Sequence, residues 1–569
     1  MKALLTLLAA LPAPALAQVA SPPPTVPVPA EPQAATPPPP PFPAAPPKLV
    51  VAISVDQLSA DLFAQYRQRF TGGFARLLEG AVFPSGYQGH AATETCPGHS
   101  TILTGFRPAR TGIIANNWID QRVGRADKTV YCSEDERVPG STSARYTVSA
   151  EHLRVPTLGE RMKAANPASR VVSVAGKDRA AVMMGGRKVD ELWWWDGESY
   201  VSYAGRATPP VVRRTQDAVA ALIARPQPAL PLPRWCAALD RPIDVPGQPA
   251  LGQGRFAREA GDRRSFRASP ASDAAVLAMA AGLIQDMKLG RGPAPDLIAV
   301  GLSATDYVGH ARGTQGSEMC IQMAELDQAL AGFFDVLDRT GVDYQVALTA
   351  DHGAHDMTER QLQRAMPMEE HVAPELRAKA VGAAIGRALG VAGPVLLGGG
   401  EGDIHLDDAL SAAQRPRVLA AAVRRYRALP QVAAVFTAAE IAATPSPTSP
   451  PETWTLIERA RASWDRERSG DLVVLLKPRV TSIEAPGPGY VETHGSPWDY
   501  DRRVPILFWR KGAAGFEQPL SVETVDIMPT LAATLGLKVE AVDGRCLDLD
   551  PGAADTCPAD GKSPAPSAS

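Results

Sequence analysis

The chain has 569 residues, 45% of them hydrophobic, and a formal net charge of -3 from 58 basic and 61 acidic side chains. That is enough apolar material for a sizeable core, arranged either as roughly two to four domains or as one large α/β core with insertions. Near-balanced charge excludes a strongly basic surface, so no nucleic-acid partner is expected.

Met1-Lys2 is a short positive start, and Ala3 to Leu11 is an apolar stretch too short to span a bilayer comfortably. Ala15-Leu16-Ala17 is a small-residue cleavage pattern, which predicts a signal peptide over 1–17 and a periplasmic or secreted protein. No later run reaches the length of a membrane helix, so no stable membrane insertion is expected. Residues 18–47 are rich in Pro, Ala and Val, a composition that favours extended polyproline II and reads as a linker. The six cysteines suit an oxidising compartment. Cys546 and Cys557 are expected to pair, as are Cys96 and Cys132. Residues 551–569 read as a flexible tail.

Between linker and tail, over 48–550, the pattern is α/β. Leu49–Val55 is nearly continuous in apolar, β-branched residues, and similar runs lie at 171–174, 297–300, 346–349, 472–476 and 505–508. Such runs mark strands buried on both faces, as in a mostly parallel central sheet with helices on both sides. Helical spacing appears at 274–287 and 318–337, with a shorter helix at 526–535. Two stretches, near 186–270 and 360–470, read as inserted cap lobes. The first holds Trp193-Trp194-Trp195, expected to pack a cap onto the core rather than to grip substrate.

The chemistry collects where apolar runs end. The first ends at Asp56, the third leads to Asp306, and the fourth ends at Asp351-His352. Open α/β sheets bind ligands at the carboxyl ends of their strands. Three carboxylates delivered to one edge repel one another unless a cation compensates them. His310 follows Asp306 by four residues, and His494 precedes the 505–508 run. Imidazole and carboxylate without thiolate suit zinc, and also manganese or iron. In Thr95-Cys96-Pro97-Gly98-His99, Pro97 suits the first turn of a helix and Gly98 permits close backbone approach. The Thr95 hydroxyl therefore either caps a helix or holds an anion at its N-terminus.

The pattern T-x-P-G-H-x-x-x-x-T-G from Thr95 to Gly105 resembles the nucleophile loop of the alkaline phosphatase superfamily, in its branch of nucleotide pyrophosphatases, phosphodiesterases and threonine-type, PafA-like alkaline phosphatases. Val55-Asp56, Asp306 to His310, Ala350 to Gly353, and His494 to Pro497 resemble its other motifs in the same order. The resemblance implies a two-zinc site, one ion held by Asp306, His310 and His494, the other by Asp56, Asp351, His352 and the Thr95 oxygen. His99 matches no ligand position and is expected to support the loop. The resemblance further implies Thr95 as nucleophile, with Asn116, Lys177 and Arg179 binding the phosphoryl oxygens. The Lys177/Arg179 pair resembles that of the monoesterases, since a monoester dianion needs more cationic donors than a diester. The implied protein is an exported, monomeric phosphatase acting on small phosphate monoesters through a phosphothreonine. A phosphodiesterase or nucleotide pyrophosphatase is the alternative within the branch, and a non-catalytic periplasmic metal- or phosphate-binding protein is the alternative outside it.

Overall fold

The computed structural model describes residues 42–557 except 365, 367, 553 and 554. The signal-peptide reading, most of the linker and most of the tail therefore lie outside the described residues. No helix among the described residues is long and apolar enough to cross a membrane.

A large mixed sheet runs through the molecule. In spatial order its strands are Phe516–Glu517, Ala81–Tyr87, Arg503–Arg510, Tyr344–Thr349, Leu49–Val55, Asp296–Leu302, Val171–Ala175, Glu191–Trp195 and Tyr200–Val201, with Val522–Glu523 also on Ala81–Tyr87. The five strands from Tyr344–Thr349 to Glu191–Trp195 are parallel to one another. Arg503–Arg510 runs antiparallel to both of its neighbours. The central strand Leu49–Val55 is buried along its whole length. Its side chains alternate between two cores, as a pleated strand requires. Leu49, Val51, Ile53 and Val55 join Phe63, Phe74, Leu283 and Phe334. Val50 and Ala52 join Cys96, Met162, Met183 and Leu531 on the opposite face. Helices thus cover both faces, as the continuous apolar runs require.

Two sequence expectations need correction. Trp193–Trp195 does not belong to a cap: Glu191–Trp195 is a strand of the central sheet, parallel to Val171–Ala175. Trp193 and Trp195 enter one core and Trp194 the other. Three consecutive large aromatics suit a strand buried on both faces, which local sequence does not separate from a cap. The Leu472–Leu476 run lies outside the central sheet. It belongs to an antiparallel sheet of four strands, in the order Leu396–Gly398, Gly402–Leu406, Leu472–Leu476, Val432–Thr437. Leu472, Val474 and Leu476 face this lobe's own core, with Ile385, Val418 and Tyr426. Val473 and Leu475 meet Ala91, Ile441 and Ala460. Burial on both faces, not parallel pairing, made that run continuous.

Cys96–Cys132 and Cys546–Cys557 are paired as expected, and Cys236–Cys320 forms a third bridge. The third ties the segment after the Trp strand to the long helix Ser317–Thr340.

Trp193 is 1% exposed, and its indole N–H donates to Glu191 Oε2 at 2.7 Å. Trp193→Ala is expected to lower unfolding stability by about 3–5 kcal/mol in a urea titration. A ligand-gripping role would leave stability near that of the parent.

Candidate active site

The parallel register brings the strand ends level. Val55 lies opposite Leu302, and Ser54 opposite Thr349. Each strand then releases its chain at the same sheet edge. Asp56 follows the central strand directly, its N–H donating to Leu302 O at 2.9 Å. Asp306 sits in the first turn of the helix Ala304–Arg312, which puts His310 one turn further on. Asp351 and His352 follow Tyr344–Thr349 by two and three residues. His494 arrives on the segment leading to Arg503–Arg510.

Two overlapping groups of ligand atoms result: Asp56, Asp351 and His352, and Asp306, His352 and His494, with the atoms of each group within 4.8 Å of one another. His310 Nε2 lies 3.2 Å from Asp306 Oδ1, beside the second group. The His352 and His494 rings stack with centroids 3.6 Å apart.

The imidazoles are oriented from behind. His310 Nδ1 bonds Glu492 O at 2.7 Å, His352 Nδ1 bonds Gly353 O at 3.0 Å, and His494 Nδ1 bonds Thr93 O at 2.8 Å. Nδ1 bonded to a carbonyl turns each Nε2 toward the carboxylate cluster, the usual arrangement of metal-binding histidines. Asp56 Oδ1, Asp306 Oδ1, Asp351 Oδ2 and His352 Nε2 are buried without a hydrogen bond among the described residues. Buried polar atoms left unpaired are costly. Several of them facing one another fit a divalent cation well.

The electrostatics point the same way. Burial pushes the Asp56 carboxyl well above the ordinary carboxylate range, reinforced by Asp306 and Asp351 and only partly offset by Lys177. Burial lowers His352 to about 3, which suits a neutral ligand. His494 is raised to about 9: burial opposes its charge, but the neighbouring Asp306 carboxylate prevails. Lys177, 2% exposed, places Nζ 2.7 Å from Asp56 Oδ2 and 2.5 Å from Asp306 Oδ2.

Thr95 opens the helix Thr95–Ile102 and is 1% exposed. Arg179 Nη2 lies 3.5 Å from its Oγ1. Asn116 Oδ1 accepts from Cys96 N at 2.8 Å, and its amide NH2 makes no hydrogen bond among the described residues. Asp178 anchors the Lys177–Arg179 corner by accepting from the Tyr131 and Tyr146 hydroxyls at 2.8 and 2.9 Å. His99 is fully buried, its Nδ1 2.9 Å from Thr95 O and 3.0 Å from Asp351 Oδ2, so it braces the loop against a cluster carboxylate.

Sequence reasoning missed several supports. Glu94 Oε2 accepts from Asn116 N at 2.6 Å. Gln57, at φ 67°, gives its backbone N–H to Asp351 Oδ1 and its side chain to Glu492 Oε2. Left-handed backbone at a non-glycine residue is uncommon and collects at functional sites. The adjacency of Gln57 to Asp56 and of Glu492 to His494 was the only signal, because Gln57 and Glu492 are 435 positions apart.

Gly98 packs the Thr95 helix onto the end of the Tyr344–Thr349 strand. A Cβ there would lie 1.9 Å from Asp351 O and 2.6 Å from Asp351 C. Gly98→Ala is expected to displace Asp351 and His352 and to weaken divalent-metal binding by about tenfold or more in a calorimetric titration.

The family model of type I phosphodiesterase / nucleotide pyrophosphatase matches residues 50–497. Alkaline phosphatase PhoK of Sphingomonas sp is 59% identical over 521 residues, 90% of this chain and 93% of the relative. Alkaline phosphatase PhoD of Zymomonas mobilis is 49% identical, over 90% of this chain and 89% of the relative. The crystal structure of alkaline phosphatase PafA matches with a TM-score of 0.76 at 25% identity, covering 89% of this chain and 99% of that one. The chain belongs to the type I phosphodiesterase / nucleotide pyrophosphatase family, within the alkaline phosphatase superfamily.

Proposed function

We propose that this protein is an exported alkaline phosphatase that hydrolyses phosphate monoesters with Thr95 as nucleophile. The observation that carries the reading is the convergence of Arg179 on the Thr95 hydroxyl beside a cluster of unpaired ligand atoms. Asp306, His310 and His494 would hold one zinc ion. Asp56, Asp351, His352 and Thr95 Oγ1 would hold the other. When bound, such ions supply Lewis-acid stabilisation of developing oxygen charge and favour ionised hydroxyls near neutral pH. Three disulfides among the described residues are consistent with an oxidising compartment outside the cytoplasm.

The chain's own groups account for binding and attack. Asn116 offers its free amide donors to a phosphoryl oxygen, and Arg179 offers a guanidinium whose planar donors match phosphate. Lys177 adds a charge from beneath, steadied by Asp56 and Asp306. Thr95 Oγ1 gives up its proton to solvent and forms a bond to phosphorus while the ester bond breaks; the electron pair leaves with the alcohol oxygen, which takes up a proton from water. Water then attacks the phosphothreonine, releasing inorganic phosphate and restoring the hydroxyl. Because Thr95 begins a helix, backbone N–H groups and the positive end of the helix dipole add to the donors around the bound anion.

Lys177 and Arg179 favour monoesters over diesters, because the dianion presents one more charged oxygen for them to neutralise. Phosphodiester hydrolysis is the alternative.

Thr95→Ala is expected to lower p-nitrophenyl phosphate turnover by on the order of a thousandfold or more, with metal content largely retained by mass spectrometry. Lys177→Ala combined with Arg179→Ala is expected to lower kcat/KM for p-nitrophenyl phosphate about tenfold or more beyond its effect on bis-p-nitrophenyl phosphate. An equal fall for both substrates would transfer the assignment to the diesterases.

A further inference from the structure

Beyond Arg179 the surface opens into a cleft of about 460 Å3 whose wall runs from Lys177 and Arg179 through Tyr307 to Arg267, Tyr146 and Arg145. The mechanism above uses only its inner end. Arg267 stacks on Tyr307, with its guanidinium carbon 4.2 Å from the ring centroid. The same ring carries Lys177 Nζ at 4.8 Å, so Tyr307 links the phosphoryl-binding corner to the outer cleft. Among the described residues no carboxylate lies within salt-bridge distance of Arg267 or Arg145, and Arg267 Nε is buried without a hydrogen-bond partner. Arg145 stands exposed at the rim.

The cleft also contains two carboxylates, and both are already committed. Asp178 accepts from Tyr131, Tyr146 and the Arg179 N–H. Asp196 Oδ1 accepts from the backbone N–H groups of Glu198 and Ser199 at 2.8 and 2.9 Å. The lining carries Lys177, Arg179, Arg267 and Arg145 against these two carboxylates, so its charge is net positive and continuous with the phosphoryl site. A guanidinium held against an aromatic ring loses little further freedom on binding, and its donor fork matches a phosphate.

We infer that this cleft is a second anion subsite, and that the enzyme favours phosphate monoesters bearing a second phosphate group. This rests on the monoesterase reading. The scissile phosphate occupies the Thr95 corner, the second phosphate meets Arg267 and Arg145, and the carbon skeleton between them lies along the aromatic wall. A substrate with one phosphate leaves Arg267 without its anion.

The test compares kcat/KM for fructose 1,6-bisphosphate and fructose 6-phosphate, with p-nitrophenyl phosphate as reference, on the intact metal-loaded enzyme. At low ionic strength the bisphosphate is expected to be preferred by about tenfold, the scale of one or two charge-assisted hydrogen bonds. The preference should shrink in high salt. Arg267→Gln and Arg145→Gln are each expected to reduce the preference while p-nitrophenyl phosphate turnover stays at the parent level. Arg145 is exposed, so its variant folds even if removal of Arg267 disturbs Tyr307. Normal p-nitrophenyl phosphate turnover without a bisphosphate preference, or with a preference that survives in both variants, overturns the subsite alone. A parent enzyme with no p-nitrophenyl phosphate turnover overturns the monoesterase reading and the subsite with it.

Discussion

Asp56, Asp306 and Asp351 meet at one end of the sheet, each essentially closed to solvent. Two ionised carboxylates with oxygens within 4.8 Å of each other, as in Asp56 and Asp351, repel by about 3 kcal/mol or more even at an effective dielectric of ~20. Several such pairs would consume much of the roughly 5–15 kcal/mol that stabilises a folded domain. Positive charge at this point is therefore a condition of the fold as well as of the chemistry. Lys177 supplies one charge, bound to two of the three carboxylates. The remaining unpaired oxygens and the lone pairs of the imidazoles set the demand that divalent ions would meet.

Everything around the cluster holds it in place. In-register parallel strands deliver the acids to one level. Carbonyls of Glu492, Gly353 and Thr93 fix the three imidazoles, so ring orientation is set by backbone rather than by side-chain packing. The Thr95 helix is locked against the same strand end by the missing Cβ of Gly98, and Cys96–Cys132 ties its first turn to the segment beyond Asn116. Glu94 and Asn116 brace one another across that turn. A hydroxyl held this way would need little reorganisation to meet a substrate.

The readable part of this design is the part whose chemistry is local. A strand buried on both faces advertises itself as an apolar run, and the residue that follows it is named by position. Asp56, Asp351 and His352 could be found so, and Asp306 with His310 by a one-turn spacing. Thr95 could not: a hydroxyl before a helix looks like a cap, and only the resemblance across the whole motif proposes it as the nucleophile. Burial alone also misled, since Leu472–Leu476 and the Trp strand carry the same signal while sitting in a different sheet and in the core. Glu492 and Gln57 were invisible because their meaning lies in a contact across most of the chain. The Tyr131 and Tyr146 grip on Asp178 is of the same kind, set by loops whose paths no periodicity encodes.

Two parts of the chain answer two different demands. The sheet and the helices that open at its edge handle a phosphoryl group, which is the same in every monoester, and they are rigid and nearly closed to solvent. The groups that face outward come from elsewhere. Arg267 ends a short helix beyond the Trp strand, and Arg145 lies on a loop. A phosphoryl site built on buried acids that would hold metal has little room to discriminate between alcohols, because its donors would be committed to phosphate oxygens or to metal. Selection of the leaving group therefore falls to side chains that the cluster does not use. In the cleft beside it, the described residues with charge to spare are Arg267 and Arg145, on the same side as Lys177 and Arg179.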